Sequence, residues 1–486
     1  MSARCFSLLV CRGVQRRIAA HFCVRRSKDS RGDSLIARLL IKNATVLATM
    51  DAAGREISGG ALLARDGVIE QVGATADLPA AADDVIDATG CVVCPGLVNT
   101  HHHMYQSLTR AVPAGQDERL FGWLRSLYPI WARMGPEHIR VSTQTAMAEL
   151  LLSGCTTASD HLYLFPNGAR LDDEIEAARE IGIRFHACRG SMSKGESQGG
   201  LPPDSLVEKE PAILADCRRV IETYHDASPR SMLRIALAPC TPFTVSDGLM
   251  RDTAALARSY GVMLHTHTAE NTEDVVYCRE ALGCTPVEHV ERLGWLGRDT
   301  WHAHCVELGD AGIAAFVKTH SGIAHCPSSN MRLASGIAPI RKLVDRQVAV
   351  GLGVDGSASN DSGDLLAEAR LAMLLQRVGG DPKALSAREA LVLATRGGAL
   401  VLGREDAIGQ LAPGYAADIA VFPVDGLAHA GAGWDPLAAL LFCAPVKSRY
   451  TIVDGRVVVR DGRLTTIDLD SVVRDHNALA KTLANG

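Results

Sequence analysis

Three consecutive histidines follow an apolar run in the stretch "NTHHHMYQ", residues 99–106. In an extended chain the side chains alternate between two faces, so His101 and His103 share one face and His102 lies on the other. Two imidazoles on one face can bind a single metal ion, and imidazole nitrogen is a preferred ligand of Zn²⁺. The stretch therefore predicts half of a metal site, provided that other segments supply the remaining ligands.

The best candidates for the remaining ligands stand at the ends of later apolar runs. His267 ends "GVMLHTH", and Asp355 directly follows "VAVGLGV". Three histidines and one aspartate leave a position open for water, as a catalytic zinc site requires. We predict that His101, His103, His267 and Asp355 bind one Zn²⁺ per subunit, although ferrous iron accepts the same ligands.

Two further polar residues are expected beside this metal ion. Glu270 lies three residues after His267, and His304 ends "TWHAH". An activated water needs a carboxylate to carry its proton to the leaving group, which is the role predicted for Glu270. His304 could hydrogen-bond the hydroxide or the developing oxyanion. His265 and His302 lie deeper on the same strands, and we expect them to pack or to support the ligands.

The elements that must position these residues alternate regularly along the chain. Most of the eight β-type apolar runs are followed by a helical stretch, and the runs are "CVVCPGLVNTHHH", "GCTTASDHLYL", "IRFHACRGS", "LRIALAPCT", "GVMLHTHTAE", "TWHAHCVEL", "GIAHCPSSN" and "VAVGLGVDGS". This pattern predicts an α/β fold, a (β/α)8 barrel of the TIM type, whose active site lies at the carboxyl ends of its strands. The alternative, a doubly wound sheet, lacks a GxGxxG motif after its first strand.

The sequence pattern divides the chain into a predicted barrel over residues 97–408 and four further parts before and after it. Residues 39–96 and 409–470 are rich in short β runs and are expected to form one small β-sandwich from both chain ends, or else two unrelated β appendages. Residues 471–486 are expected to form a C-terminal helix or tail. Residues 1–38 are Arg-rich and resemble a transit peptide or an upstream extension, and we expect a disordered, dispensable tail.

The composition argues against a nucleic-acid-binding protein and against a membrane-spanning protein. The chain has 486 residues and a formal net charge of −5, which argues against a nucleic-acid-binding protein. No apolar run approaches the roughly 20 residues that span a bilayer. The 14 cysteines are scattered, mostly in apolar segments, as is typical of a reducing compartment. We therefore expect a soluble, cytoplasmic protein, in which the CxxC pair Cys91 and Cys94 consists of ordinary strand residues.

Four motifs together resemble a known family. "PGLVNTHHH", "HTHTAE", "HAHCVEL" and "GVDGSASND" are similar, in order and spacing, to the amidohydrolase superfamily, in its branch of cytosine, guanine and S-adenosylhomocysteine deaminases. The resemblance covers about residues 39–470. It implies a zinc or iron barrel with a flanking β-sandwich in a homo-oligomer. It also implies the same four metal ligands, Glu270 as proton shuttle, and His304 with Asp355 as the residues that activate the water.

Within that branch, "NTHHHMYQSLTRA" and "HACRGSMS" are most similar to 8-oxoguanine deaminases and to hydrolases of hydroxylated atrazine products. Adenosine-type members carry a Gly-Pro-His-Ser-Pro motif where this chain has "APCTPF", with Cys240 in place of the histidine. This difference favours a free base over a nucleoside as the substrate.

The sequence thus leads to three hypotheses of function. The first is hydrolytic deamination of a small heteroaromatic base, with 8-oxoguanine giving urate and ammonia. The second is release of an alkylamine from a hydroxy-s-triazine, and the third is a metal-binding barrel that has lost catalysis.

For substrate binding we expect Arg189 at a ring carbonyl, Gln106 at the ring edge, and Trp123 or Tyr128 over the ring. Packing or another structural role is the alternative for each of these.

Overall fold

A computed structural model describes residues 38–485 of the chain. The expected Arg-rich tail lies outside the described residues except for Arg38, which begins the first strand. The strands, in chain order, are β1 (Arg38–Ala48), β2 (Glu56–Arg65), β3 (Val68–Ala74), β4 (Asp84–Asp87), β5 (Cys91–Pro95), β6 (Leu97–Asn99), β7 (Cys155–Leu162), β8 (Arg184–Ser191), β9 (Leu233–Pro239), β10 (Met263–Thr268), β11 (Thr300–His304), β12 (Gly322–His325), β13 (Val350–Leu352), β14 (Ile419–Pro423), β15 (Tyr450–Val453), β16 (Arg456–Arg460) and β17 (Arg463–Leu464).

Helices connect most of these strands. In chain order they are α1 (Leu120–Trp131), α2 (Pro136–Leu152), α3 (Leu171–Ile181), α4 (Glu210–Tyr224), α5 (Asp247–Tyr260), α6 (Thr272–Tyr277), α7 (Pro286–Arg292), α8 (Gly309–Thr319), α9 (Pro327–Arg332), α10 (Ile340–Asp345), α11 (Leu365–Arg377), α12 (Ala387–Val392), α13 (Gly398–Val401), α14 (Pro436–Phe442) and α15 (Leu469–Asn485). None of the helices within residues 38–485 combines the length and the apolar character needed to cross a bilayer.

Strands β6 to β13 form the predicted closed barrel, in which each strand pairs in parallel with its chain neighbours and β13 closes onto β6. Helices cover the outside of such a barrel and side chains fill its inside, so its strands are buried on both faces and appear in the sequence as nearly continuous apolar runs. For example, all residues of β7 and β8 are buried. The (β/α)8 prediction is confirmed.

Both ends of the chain contribute to a separate sheet, as predicted. Its strands follow the order β17-β16-β15-β14-β5-β1-β2-β3, and β4 also pairs with β1. The N-terminal and C-terminal halves meet where β5 pairs antiparallel with β14. The two halves share an apolar core that includes Ile41, Val93, Ile419 and Ile452.

The first predicted barrel run belongs to two different sheets. "CVVCPGLVN" reads as one strand in the sequence, but Cys91–Pro95 lies in the sheet of the chain ends and only Leu97–Asn99 lies in the barrel. Gly96 separates them and packs tightly, because a Cβ at this position would lie 2.1 Å from the Thr156 hydroxyl oxygen. A glycine therefore allows the chain to pass directly from one sheet to the other.

Candidate active site

The predicted metal ligands and acid–base residues converge at the carboxyl end of the barrel. His267 lies in β10 and His304 is the last residue of β11, whereas Asp355 lies three residues beyond β13. His101 and His103 lie just after β6 and outside it. A hydrogen bond still fixes the backbone there, because Asp355 N–H donates to the carbonyl of His101 over 3.1 Å. Residues that are remote in sequence therefore lie together at one opening of the barrel.

The spacing of the four predicted ligands fits a metal ion. His101 Nε2 lies 3.2 Å from Asp355 Oδ1, and His103 Nε2 lies 3.4 Å from the same oxygen and 3.2 Å from His267 Nε2. Ligand atoms that surround Zn²⁺ tetrahedrally at its usual bond lengths are separated by about 3.3 Å. The distances between these donor atoms therefore match a tetrahedral site.

Hydrogen bonds to carbonyl groups fix the protonation of two of these rings. His103 Nδ1 donates to the carbonyl of His161 over 2.8 Å, and His267 Nδ1 donates to the carbonyl of Cys240 over 3.0 Å. A carbonyl oxygen can only accept, so each Nδ1 carries the hydrogen and each Nε2 of the neutral ring exposes a lone pair. Such a bond from the distal ring nitrogen is the usual support of a metal-binding histidine.

A chain of two hydrogen bonds fixes His101 in the same way. His265 Nδ1 donates to the carbonyl of Trp301 over 2.9 Å, so its Nε2 accepts the hydrogen of His101 Nδ1 over 2.7 Å. His101 Nε2 is then a bare acceptor, and this buried atom has no hydrogen-bond partner. Lone pairs that face one another and a carboxylate oxygen at 3.2–3.4 Å are stabilised by a positive charge between them, so the residues present fit a metal ion.

Burial keeps the ligands in the protonation states that bind metal. It lowers the pKa of His101 well below its usual value and lowers the pKa of His267 to about 3. Burial alone would raise the pKa of Asp355, but the neighbouring imidazoles of His101, His304 and His103 outweigh it and hold the pKa well below its usual value. Neutral imidazoles and an ionised carboxylate are the metal-binding forms.

Glu270 lies on the floor of the site beside His304. Its side chain is buried, and desolvation raises its pKa to about 7, against the lowering effect of His304. Glu270 Oε2 lies 3.8 Å from His304 Nε2, and the Glu270 N–H donates to Asp274 Oδ2 over 3.2 Å. A carboxyl with a pKa near neutrality can both take up and release a proton.

His304 faces the two carboxylates of the site. Burial lowers its pKa, but the charges of Glu270 and Asp355 outweigh burial and raise the pKa above its usual value. His304 Nε2 lies 3.7 Å from Asp355 Oδ2. Both residues have left-handed backbone conformations, with φ of 70° for His304 and 60° for Asp355. Non-glycine residues rarely adopt such angles, which are concentrated at functional sites.

A pocket of about 400 Å³, including its open mouth, lies above these residues. Its floor contains His103, His267, Glu270, His304 and Asp355. Its walls are mainly apolar and aromatic, formed by Leu120, Trp123, Leu124, Tyr128, Tyr163, Phe243 and Leu333. Within residues 38–485, neither lysine nor arginine lines the pocket. The cavity therefore suits a flat, uncharged ligand with a few polar edges.

Three of the four predicted substrate-binding residues line this pocket. Gln106 Oε1 is buried without a hydrogen-bond partner, so this amide oxygen is available to a ligand. Trp123 is anchored through its Nε1, which donates to the carbonyl of Ala358 over 3.1 Å. Tyr128 is also buried in the wall.

The structure does not bring Arg189 to the pocket. Its guanidinium pairs with Glu208 and Asp216, with an N–O distance of 2.8 Å to each carboxylate, and lies 3.8 Å from the ring centroid of Phe165. These partners occupy the planar fork that was expected to bind a ring carbonyl. The environment of Arg189 is that of a structural ion pair.

Sequence reasoning missed several residues of the site. A ring nitrogen of His161 lies within 4.8 Å of donor nitrogens of His101, His103 and His267. His161 lies near the end of "GCTTASDHLYL", so the same strand-end signal could have identified it. Asn330 accepts from His304 Nδ1 over 2.9 Å. No local pattern marks this asparagine, because the contact depends on how α9 packs.

Comparison with known proteins identifies related chains. The Amidohydrolase family profile matches residues 92–458. The chain is 44% identical over 453 residues to the 8-oxoguanine deaminase of Pseudomonas aeruginosa, covering 93% of this chain and 100% of that protein. It is 34% identical over 461 residues to hydroxydechloroatrazine ethylaminohydrolase of a Pseudomonas strain, covering 90% and 94% of the two chains.

A solved crystal structure has the same fold as this chain. The crystal structure of atrazine chlorohydrolase from Arthrobacter aurescens TC1, complexed with zinc, superposes with a TM-score of 0.86 at 36% identity. The match covers 91% of this chain and 100% of the other. The barrel and the sheet of the chain ends are therefore those of its structural relatives.

Proposed function

Because the chain belongs to the amidohydrolase family, we propose that it is a metal-dependent deaminase that hydrolyses 8-oxoguanine to urate and ammonia. One observation carries this proposal: the Glu270 carboxyl, with a pKa near 7, shares a pocket floor with His103, His267 and Asp355, which are arranged as metal donors together with the buried His101. The 44% identity to an 8-oxoguanine deaminase supports the substrate. We propose one Zn²⁺ per subunit, bound by His101, His103, His267 and Asp355.

A bound divalent ion would supply Lewis acidity and lower the pKa of the attacking water. Glu270 takes a proton from that water and delivers it to the ring nitrogen beside the amino-bearing carbon. Once the water oxygen has bonded to that carbon, the proton left on the oxygen passes to the amino group, the C–N bond breaks, and ammonia departs. His304 Nε2, which faces both Glu270 and Asp355, stabilises the negative charge on the incoming oxygen.

The pocket walls would hold the base in place. Trp123, Tyr128 and Phe243 provide flat apolar surfaces for a two-ring heteroaromatic ligand. The free Gln106 Oε1 would accept a hydrogen bond from an N–H at the ring edge. Because neither lysine nor arginine of the described chain lines the pocket, recognition at its walls would rest on stacking and on neutral hydrogen bonds.

The runner-up function keeps the same site and changes the leaving group. The 34% identity to hydroxydechloroatrazine ethylaminohydrolase favours a hydroxy-s-triazine as the alternative substrate. The apolar walls formed by Leu120, Leu124 and Leu333 would also accept an N-alkyl group. In that case Glu270 would protonate an alkylamine instead of ammonia.

One assay separates these functions. The zinc-loaded protein would be incubated with 8-oxoguanine, guanine, isocytosine, isoxanthopterin and hydroxyatrazine, and ammonia, urate and alkylamine would be measured. Fastest turnover of 8-oxoguanine with stoichiometric urate supports the proposal. Alkylamine release with the purines untouched would overturn the substrate, and ligand binding without any product would favour the inactive barrel.

We also propose that the enzyme is a cytoplasmic homo-oligomer. The family resemblance supports the assembly, and the free, mostly buried thiols of the described residues support a reducing compartment. Light scattering of the purified protein and fractionation of the source cells test these two points.

A further inference from the structure

A group of basic side chains lies at the amino end of the barrel, opposite the candidate active site. Arg184 is the first residue of β8, Arg234 is the second residue of β9, and Arg404 lies three residues beyond α13. We call these three residues the arginine group. Catalysis in such barrels takes place at the carboxyl ends of the strands, so the arginine group needs an explanation other than the proposed reaction.

The guanidinium groups of Arg184 and Arg404 meet at one carbonyl oxygen. Arg184 Nη1 and Arg404 Nη1 each donate to the carbonyl of Ser231 over 2.9 Å. Arg404 Nη2 also donates to Ser231 Oγ over 3.2 Å. Two like charges are therefore held close together in a buried place, which is costly unless negative charge compensates them.

The carboxylates in contact with the arginine group compensate only part of its charge. Asp418 Oδ2 lies 2.9 Å from Arg184 Nε, and Asp454 Oδ1 lies 3.3 Å from Arg184 Nη2. In the described part of the chain, neither Arg234 nor Arg404 forms an ion pair. Because arginine keeps its charge at physiological pH, these two residues add two positive charges that no contacting carboxylate balances.

More distant carboxylates do not make up for this deficit. Burial lowers the pKa of Arg234, and the charges of Asp226 and Glu405 do not reverse that effect. Burial and the neighbouring charges of Arg184 and Arg234 lower the pKa of Arg404 well below its usual value. The surroundings of both guanidinium groups are therefore poor in negative charge.

Arg234 and Arg404 also have donors that bind nothing within the protein. Arg404 is 2% exposed and Arg234 is half-buried, and the Nε–H of each is buried without a hydrogen-bond partner. The Nη atoms of Arg234 donate only to neutral carbonyls, those of Gly403 over 2.9 Å and Ser228 over 3.2 Å. An unsatisfied buried donor costs free energy, and more so on a charged group. An anion would remove both the charge deficit and the donor deficit.

His225 provides a further donor on the solvent side. Its Nδ1 accepts the N–H of Ile235 over 3.1 Å, so Nε2 of the neutral ring carries the hydrogen. The charges of Arg234 and Arg404, together with burial, lower the pKa of His225, so the three side chains lie near one another. His225 and Arg234 are both half-buried, and the arginine group is therefore not sealed from solvent on this side.

We propose that Arg234, Arg404 and His225 form a binding site for a small oxyanion of the phosphate type. Guanidinium groups match the oxygens of phosphate with paired, charge-assisted hydrogen bonds. The bound anion would link the start of β9 to the segment that follows α13. Because it would bind the folded chain only, its effect is on stability, and the site is independent of the metal ion and of the substrate.

Thermal denaturation of the zinc-loaded protein provides the first test. The melting temperature would be measured in increasing inorganic phosphate or sulfate, with ionic strength held constant by chloride. We expect each oxyanion to raise the melting temperature saturably, by at least about 2 °C, whereas chloride alone should not. A melting temperature that responds to neither oxyanion would overturn the proposal.

The variants Arg234→Met and Arg404→Met remove the charge and keep most of the side-chain volume. We expect each to abolish the shift caused by phosphate. Arg404→Met should still fold, because replacing a poorly compensated buried charge with an apolar group is often neutral or stabilising. The matched control is Arg298→Met, at an exposed arginine just before β11 and at the same end of the barrel, which should keep the full shift. A full shift in Arg234→Met would overturn the proposal.

Equilibrium dialysis with radiolabelled phosphate measures binding without denaturation or an activity assay. The wild type should bind one phosphate per chain in both its zinc-loaded and its metal-free forms, and Arg234→Met should lower the affinity about tenfold or more. Phosphate that is bound only when zinc is present would lie at the metal centre and would overturn the site proposed here.

Discussion

His304 and Asn330 form a hydrogen bond that orients the imidazole of His304: His304 Nδ1 donates to Asn330 Oδ1 over 2.9 Å. The opposite nitrogen, Nε2, is thereby turned towards Glu270 and Asp355. We predict that Asn330→Ala lowers kcat about 10- to 100-fold, the usual effect of removing a supporting hydrogen bond. Steady-state kinetics and metal analysis would check this, with metal content expected to stay constant. Asn330→Asp keeps an oxygen at this position and should retain more activity than Asn330→Ala.

Replacing Glu270 tests the proposed proton shuttle. Glu270→Gln preserves the shape of the side chain but cannot accept a proton, so we expect kcat to fall by about 10²- to 10⁴-fold. Metal content and thermal stability should be unchanged. Glu280→Gln, at an exposed position in the turn after α6, is the matched control. Full turnover by Glu270→Gln would refute the assignment.

The raised pKa of Glu270 predicts an acid limb in the pH profile. Burial raises this pKa to about 7, and only the ionised form can accept a proton from water. Activity should therefore fall as the pH decreases through about 7, or through a lower value when a bound cation stabilises the carboxylate. Measuring kcat/KM from pH 5 to 9 would show this limb. A limb that persists unchanged in the residual activity of Glu270→Gln would assign it to another group.

Gln106 and Gly356 provide a paired test of substrate recognition. A Cβ at position 356 would lie 1.9 Å from Gln106 Oε1, so Gly356→Ala should displace this amide. We expect Gly356→Ala and Gln106→Leu each to lower kcat/KM for 8-oxoguanine about 10- to 100-fold, the effect of losing one buried hydrogen bond. Metal affinity should not change. Unaltered kinetics in Gln106→Leu would show that the amide does not contact the substrate.

Arg189 should affect stability rather than recognition. Arg189→Ala leaves Glu208 and Asp216 without their buried partner, which we expect to lower the free energy of unfolding by about 3 kcal/mol. Urea denaturation measures this loss, and the KM of the folded protein should stay constant. Arg219→Ala, which breaks half-exposed pairs with Asp172 and Asp216, is the control and should cost about 1 kcal/mol or less. A large increase of KM in Arg189→Ala would show that Arg189 contributes to substrate binding after all.

The fold was predictable because the barrel strands are buried on both faces and are visible as apolar runs. The same strand-end signal located His101, His267, His304 and Asp355, since parallel strands bring their carboxyl ends together. It failed where a contact depends on partners distant in sequence. Arg189 is neutralised by two carboxylates that lie 19 and 27 residues further along the chain.

The pattern of apolar runs alone did not show where one sheet ends and the next begins. The run around Gly96 has uniform apolar character and was counted as one barrel strand, although the predicted boundary between the sandwich part and the barrel fell between residues 96 and 97. The orientation of the site histidines also escaped sequence analysis, because it depends on hydrogen bonds to carbonyls of other strands, such as that of Cys240.

The direct passage from β5 through Gly96 to β6 has a consequence for synthesis. The strand that precedes the metal-binding loop is continuous with a strand whose neighbour on one side is β14, more than 300 residues later in the chain. While the protein emerges from the ribosome, β5 can pair with β1 early but must wait for Ile419–Pro423 before its other edge is covered. The strand that leads into the candidate site is therefore paired on both edges only after Ile419–Pro423 has been synthesised.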